Sequence, residues 1–249
     1  MEVRIVMGKF IKENKISSDK YRVFCFPYAG GAASVYSSWE GIVKGRIYTI
    51  QLPGRENRIQ EKLYTNMEGL VGDLYGEIKE YIDVPYCFFG HSLGGKIAYE
   101  LIRKIQEEKG KSPEFLCVSA CGVPSIKENT NIHTLSDDEL IKVLPQYTNI
   151  SLHILRNKNL MELFLPRIRA DFKISEEYYR EEEVNLNIPI IAIGGKYDKQ
   201  VNLQSIRAWN RYTEKFELHL LERDHMYLEE EKDMIVDIIE RTFVKIVGN

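Results

Sequence analysis

Ser92 is the residue in this sequence best placed to do chemistry. It lies in Tyr86-Cys87-Phe88-Phe89-Gly90-His91-Ser92-Leu93-Gly94-Gly95-Lys96. The apolar start reads as a buried strand, and the following Ile97-Ala98-Tyr99-Glu100-Leu101-Ile102 reads as a helix. Between them, Gly90-x-Ser92-x-Gly94 has the spacing of a nucleophile elbow. A sharp turn from strand to helix strains the backbone at Ser92. Side chains two residues to either side would meet neighbouring chain, so glycine fills both places. The turn lifts the hydroxyl above the sheet. It also aims the backbone N–H of Leu93, at the helix N-terminus, where an oxyanion would form.

A serine hydroxyl attacks well only when a base takes its proton, and that base needs a carboxylate to orient it. Behind a strand–turn–helix nucleophile the order along the chain is serine, acid, histidine. Histidines stand at positions 91, 133, 153, 219 and 225. His91 sits inside the elbow, where its ring is expected to point away from Ser92 and to pack or hydrogen-bond. His133 and His153 fall in a segment without strand pattern, and His219 within the last strand. His225 follows that strand at its C-terminal end and is the expected base. Asp198 leaves the preceding strand through Gly194-Gly195 and is the expected acid. Asp224 is a rival, but a neighbour of the base rarely folds back to its far nitrogen. The second oxyanion donor is expected from the loop after the first clear strand, at the Ala29 N–H in Tyr28-Ala29-Gly30-Gly31. No metal or cofactor is needed for such a site.

The elements that must position these residues alternate. Strands are expected at 21–26, 47–52, 86–89, 114–120, 188–194 and 216–221. Thr65-x-x-Glu68 reads as a capping box for a helix with Leu70, Leu74 and Ile78 on one face. Gly69, Gly72 and Gly76 in that helix imply either close packing or a marginal helix. Further helices carry Ile97, Leu101 and Ile105, then Leu203, Ile206 and Trp209, and finally Ile235, Val236, Ile238 and Ile239. Alternation of this kind predicts an α/β fold with a mostly parallel sheet flanked by helices, whose ligands bind at the C-terminal strand ends. Residues 124–186 interrupt the pattern. They hold a Ser136-x-x-Glu139 capping box and a helical run with Leu160, Phe164, Ile168 and Phe172, which Pro166 should kink. The acidic run 176–183 is expected to be a solvated face. The segment reads as a lid inserted in a single domain of residues 1–249.

Composition narrows the partners. The 249 residues are 44% hydrophobic and 29% charged, with a formal net charge of −3. That balance belongs to an ordinary globular chain and argues against nucleic acid. Residues 1–20 read as a polar lead-in without the apolar core of a signal peptide, and Met7 is an alternative start. No stretch is apolar enough to span a membrane, so a cytoplasmic location is expected; a monomer is the expected state. Cys25, Cys87, Cys117 and Cys121 lie in or beside expected strands and read as buried free thiols.

Several stretches together resemble one family. They are Phe26-Pro27-Tyr28-Ala29-Gly30-Gly31, Gln51-Leu52-Pro53-Gly54-Arg55-Glu56, Phe89-Gly90-His91-Ser92-Leu93-Gly94-Gly95, Leu165-Pro166-Arg167-Ile168-Arg169-Ala170-Asp171-Phe172 and Gly194-Gly195-x-x-Asp198. Over residues 21–240 the chain resembles the type II thioesterases of nonribosomal peptide and polyketide synthesis. The resemblance implies an α/β-hydrolase fold with a helical lid at 124–186. It implies hydrolysis of acyl thioesters from the phosphopantetheine arm of acyl or peptidyl carrier proteins. Ser92 would be the nucleophile, Asp198 the acid, His225 the base, and Ala29 and Leu93 the oxyanion donors. Arg223-Asp224 precede His225 where the family usually has glycine. Arg55 and Arg58, in the loop 53–58, are either docking charges for an acidic carrier or ordinary surface charge. A general carboxylesterase or acyl-CoA hydrolase, and a non-catalytic binding member of the fold, are the alternatives.

Overall fold

The structure is a computed structural model that describes residues 10–13, 20–148 and 150–248. Most of the lead-in expected over residues 1–20, including Met7, lies outside the described residues. Its described part contributes a strand that the sequence pattern does not announce, β1 (Ile11–Glu13).

The other strands are β2 (Arg22–Phe26), β3 (Arg46–Ile50), β4 (Tyr86–His91), β5 (Phe115–Ser119), β6 (Ile190–Gly195) and β7 (Phe216–Leu221). Among the described residues they form one sheet in the order β1-β3-β2-β4-β5-β6-β7. Every neighbouring pair is parallel except β1 with β3. This is the mostly parallel α/β-hydrolase fold that the sequence leads one to expect.

Side chains of β2 and β4 alternate between two cores, because successive residues of a strand face opposite sides of the sheet. Phe24, Phe26, Tyr86 and Phe88 join one core, with α1 (Met67–Ile78) and α2 (Leu93–Glu107). Val23, Cys25, Cys87 and Phe89 join the other, with Ile235 and Ile239 of α7 (Lys232–Val247). Both faces are covered, which is why these strands are apolar throughout rather than alternating. The Phe88 ring meets Phe24 and Phe26 edge-on at 5.6 and 5.1 Å. Each such fully buried ring contributes ~1.5–3 kcal/mol by leaving water.

Several local expectations are refined. Helix α1 is capped by Asn66, whose side chain accepts from Gly69 N, not by Thr65. A Cβ built at Gly72 or Gly76 would meet nothing within 4 Å, so these glycines serve no close approach. Residues 124–186 hold α3 (Asp137–Val143), α4 (Leu152–Leu155) and α5 (Lys158–Glu177), and no strand among their described residues. The Ser136–Glu139 capping box forms as expected. Helix α5 continues through Pro166, and its buried stripe is Met161, Leu165, Ile168 and Phe172. A strict spacing of four drifts off the 3.6-residue turn, which is why Leu160 and Phe164 fall outside that stripe.

The acidic run is not simply a solvated face. Glu176 accepts from the backbone N–H of Ile132 and His133, and Tyr178 is buried with its hydroxyl on Glu100 at 2.6 Å. Within residues 124–186, Arg180 N donates to Pro124 O at 3.0 Å, which draws the two ends of the segment together. The chain then passes through α6 (Leu203–Arg207) and β7 to α7.

Candidate active site

The elbow forms as the glycine spacing requires. Between β4 and α2, Ser92 has φ 54° and ψ −121°, a conformation that costs a side-chain-bearing residue ~1–3 kcal/mol. Its N–H donates to Ser119 O at 2.8 Å, and its carbonyl accepts from Gly95 N at 2.9 Å. A Cβ at Gly90 would lie 2.3 Å from Gly94 O, and one at Gly94 would lie 2.1 Å from Phe26 O. The first contact closes the turn, and the second lets α2 start directly against the end of β2.

Three loops at the C-terminal strand ends converge on Ser92. The loop after β7 brings His225 Nε2 to 3.1 Å from Ser92 Oγ. The loop after β6 brings Asp198 Oδ2 to 2.8 Å from His225 Nδ1. The other oxygen of Asp198 accepts from Gln200 N at 2.8 Å and Val201 N at 3.0 Å. The carboxylate is therefore held on both sides, and its side chain is fully buried. Asp224 is exposed, and its carboxylate accepts from Met226 N rather than reaching the ring of His225.

The backbone just before His225 runs close against the end of the neighbouring strand β6. A Cβ on Gly195 would lie 2.3 Å from Asp224 O and 2.4 Å from Arg223 O. The close approach is thus provided by Gly195, and the side chain of Arg223 turns outward to Glu230 and Glu231.

His91 points away from Ser92, as expected, and braces His225 from behind. Its Nε2 lies 3.0 Å from His225 O and its Nδ1 2.9 Å from Ser119 Oγ. Ser119 Oγ lies 2.8 Å from the Tyr227 hydroxyl. A carbonyl only accepts, so Nε2 carries the proton and Nδ1 accepts from Ser119. Burial, reinforced by nearby His225, pushes the His91 pKa well below its ordinary 6.5 and keeps the ring neutral. Of the other histidines, His133 bonds Glu176 and His219 bonds Glu217, while His153 is exposed on α4.

The Ala29 loop sits between β2 and α2, next to Ser92. Here the structure adds Asp171, which the sequence leaves unread, and corrects the reading of Arg55. Asp171, on α5, accepts from Gly30 N at 2.6 Å and pairs through the same oxygen with Arg55. Arg55 also donates to Gly31 O at 3.1 Å and Pro53 O at 2.6 Å. Arg55 is 2% exposed and Arg58 3%, so neither is a docking charge or an ordinary surface charge. Arg58 instead donates to Gln51 O at 2.5 Å and lies over the Phe10 ring. The signal was present, since Arg55 and Asp171 both fall within stretches that carry the family resemblance.

A cavity of about 300 Å³ opens above Ser92, His225 and Ala29. Ile132, Tyr147 and Phe172, from the segment 124–186, line it with Val123 and Val201. One wall is polar, formed by Lys96, Glu128 and Ser175. There Lys96 Nζ, one turn beyond Ser92 on α2, pairs with Glu128 and donates to Ser175 O at 2.9 Å. Among the described residues, no group of three or more His, Cys, Asp or Glu could hold a metal ion, and no helix is long and apolar enough to cross a membrane. A serine hydroxyl beside a histidine that is itself held by a buried carboxylate, at a cavity with both apolar and polar lining, suits acyl transfer to water.

Comparison with known proteins agrees. The family described as "Thioesterase domain" matches residues 21–243. The gramicidin S biosynthesis protein GrsT of Aneurinibacillus migulanus is 36% identical over 234 residues, covering 92% of this chain and 91% of GrsT. The type II thioesterase BorB from the borrelidin biosynthetic cluster superposes with TM-score 0.86 at 30% identity, covering 94% of this chain and 97% of BorB. ClbQ from the colibactin NRPS/PKS pathway superposes with TM-score 0.84 at 28% identity, over 91% of this chain and 98% of ClbQ.

Proposed function

Because this chain belongs to the thioesterase family, we propose that it hydrolyses acyl thioesters from the phosphopantetheine arm of carrier proteins in a nonribosomal peptide or polyketide pathway. The observation that carries the reading is the hydrogen-bonded line Ser92–His225–Asp198, whose first two members line the cavity. In this reading the chain is a single cytoplasmic α/β-hydrolase domain, acting as a monomer, with residues 124–186 as its lid.

His225 Nε2 takes the proton of Ser92 as Oγ attacks the thioester carbonyl. Asp198 stabilises the imidazolium that forms and keeps Nε2 turned toward Ser92. The tetrahedral oxyanion is bound by the N–H groups of Leu93, at the positive end of α2, and Ala29. Collapse expels the pantetheine thiol, which takes the proton from His225 and leaves an acyl-Ser92 ester. Water, deprotonated by His225, attacks that ester, and His225 returns the proton to Ser92 Oγ as the acid leaves.

The test is intact-protein mass spectrometry with acyl-loaded carrier proteins, run beside matched acyl-CoA and simple esters. The expected result is turnover favouring the carrier thioester, with an acyl adduct on Ser92. Replacing Ser92 with Ala should remove both adduct and turnover. A preference for the simple ester would overturn the carrier reading, and activity surviving in S92A would overturn the role of Ser92.

A further inference from the structure

We infer that the buried Asp171–Arg55 pair is a positioning device for the oxyanion hole, through which the lid helix α5 sets the geometry of the Ala29 donor. The inference rests on the role proposed above for Ser92 and Ala29, and adds residues that touch neither substrate nor nucleophile.

The geometry is specific. Gly30, directly after Ala29, has φ 80°, a left-handed conformation that suits glycine. The peptide linking Ala29 to Gly30 has its N–H on Asp171 Oδ2 at 2.6 Å. The next carbonyl but one, Gly31 O, accepts from Arg55 Nε at 3.1 Å. The loop is thus gripped from both sides by two side chains that are themselves paired and almost wholly buried. Arg55 also takes Pro53 O at 2.6 Å, which ties the 53–58 loop into the same knot. Ile168, one turn before Asp171 on α5, lies 3.3 Å from where a Gly30 Cβ would stand, so packing reinforces the polar grip.

A donor aimed at an oxyanion works by being fixed before charge develops, and losing one such donor costs ~10²–10³ in rate. A loosened donor forfeits part of that factor while ground-state binding is largely untouched. The lid helix therefore contributes to the chemical step as well as to the wall of the acyl cavity.

The test uses the full chain and two variants. Asp171→Asn keeps shape but removes the charge that faces Arg55. The double variant R55M/D171L replaces the pair by apolar residues of similar volume, so that no buried charge is left alone. Each is assayed for kcat and KM on an acyl-carrier thioester and on p-nitrophenyl acetate, whose acylation of Ser92 needs the oxyanion hole but no carrier. Each is also titrated with an alkyl boronic acid, which forms a tetrahedral anionic adduct on serine. Both variants should lose ~10–100-fold in kcat on both substrates and lose boronate affinity in parallel, with KM within about threefold. Variants that only unfold more easily, with kcat and boronate affinity of the folded protein unchanged, would overturn the inference. Wild-type activity on the ester but not on the carrier thioester would overturn the carrier reading and leave this test intact.

Discussion

The ring of His91 donates from Nε2 to the carbonyl oxygen of His225 across 3.0 Å. One histidine thus holds the backbone of another, whose own ring reaches Ser92. The arrangement requires His91 to be neutral, with Nδ1 free to accept from Ser119. Its pKa in the folded chain is depressed, so it contributes stability above the ordinary value of 6.5, and that stability is lost as pH falls below it. Urea unfolding between pH 8 and 5 should show a loss of up to ~1.4 kcal/mol per pH unit below that value from this group alone. His91→Gln, which keeps a neutral donor but does not titrate, should flatten the slope. An unchanged slope would show that His91 titrates normally.

Asp198 and Asp224 are separated by a direct comparison. Asp198→Asn should lower kcat by about 10⁴ by letting the wrong tautomer of His225 form. Asp224→Ala should leave kcat/KM within about threefold, since that carboxylate only accepts from Met226 N. Steady-state kinetics on one thioester decides between them, and the reverse order would reassign the acid.

Two glycine substitutions should have opposite signs. Gly94→Ala places a methyl 2.1 Å from the backbone oxygen of Phe26 and should cost ~3 kcal/mol or more, or prevent folding. Gly72→Ala, in open space on α1, should stabilise by ~1 kcal/mol. Denaturant midpoints read both.

The start of α1 offers a finer check. Asn66→Ala should cost ~1 kcal/mol through loss of its bond to Gly69 N, whereas Thr65→Ala should change stability by less than ~0.5 kcal/mol. Equal effects would mean that the cap is shared.

The parts of the site legible in the sequence are those that local rules specify. The elbow at Ser92 needs glycine at fixed offsets, and Asp198 and His225 each follow a strand with a clear apolar pattern. The Asp171–Arg55 pair was not legible as a contact, because it joins residues far apart in sequence and burial inverts the usual reading of a charge. Strand β1 escaped because three residues, Ile11-Lys12-Glu13, are too few to set a period. It exists by pairing with β3 and by the Glu77 carboxylate, which accepts from Phe10 N and Ile11 N at 2.9 Å. On α5 the expected run keeps Ile168 and Phe172 on the buried stripe and drifts off it at Leu160 and Phe164, because a repeat of four overruns a helix that turns in 3.6.

Cys25, Cys87, Cys117 and Cys121 are all free and buried, and burial raises each thiol, Cys121 to about 12. A thioesterase liberates a thiol at every turnover. Thiol–disulfide traffic needs a thiolate that reagents can reach. This protein offers none while folded, so the departing arm cannot be trapped on it as a mixed disulfide, and neither can glutathione. The same silence makes the wild-type chain a ready background for spectroscopy, because a single cysteine placed on the outer surface of α5 would be the one site a maleimide dye could find.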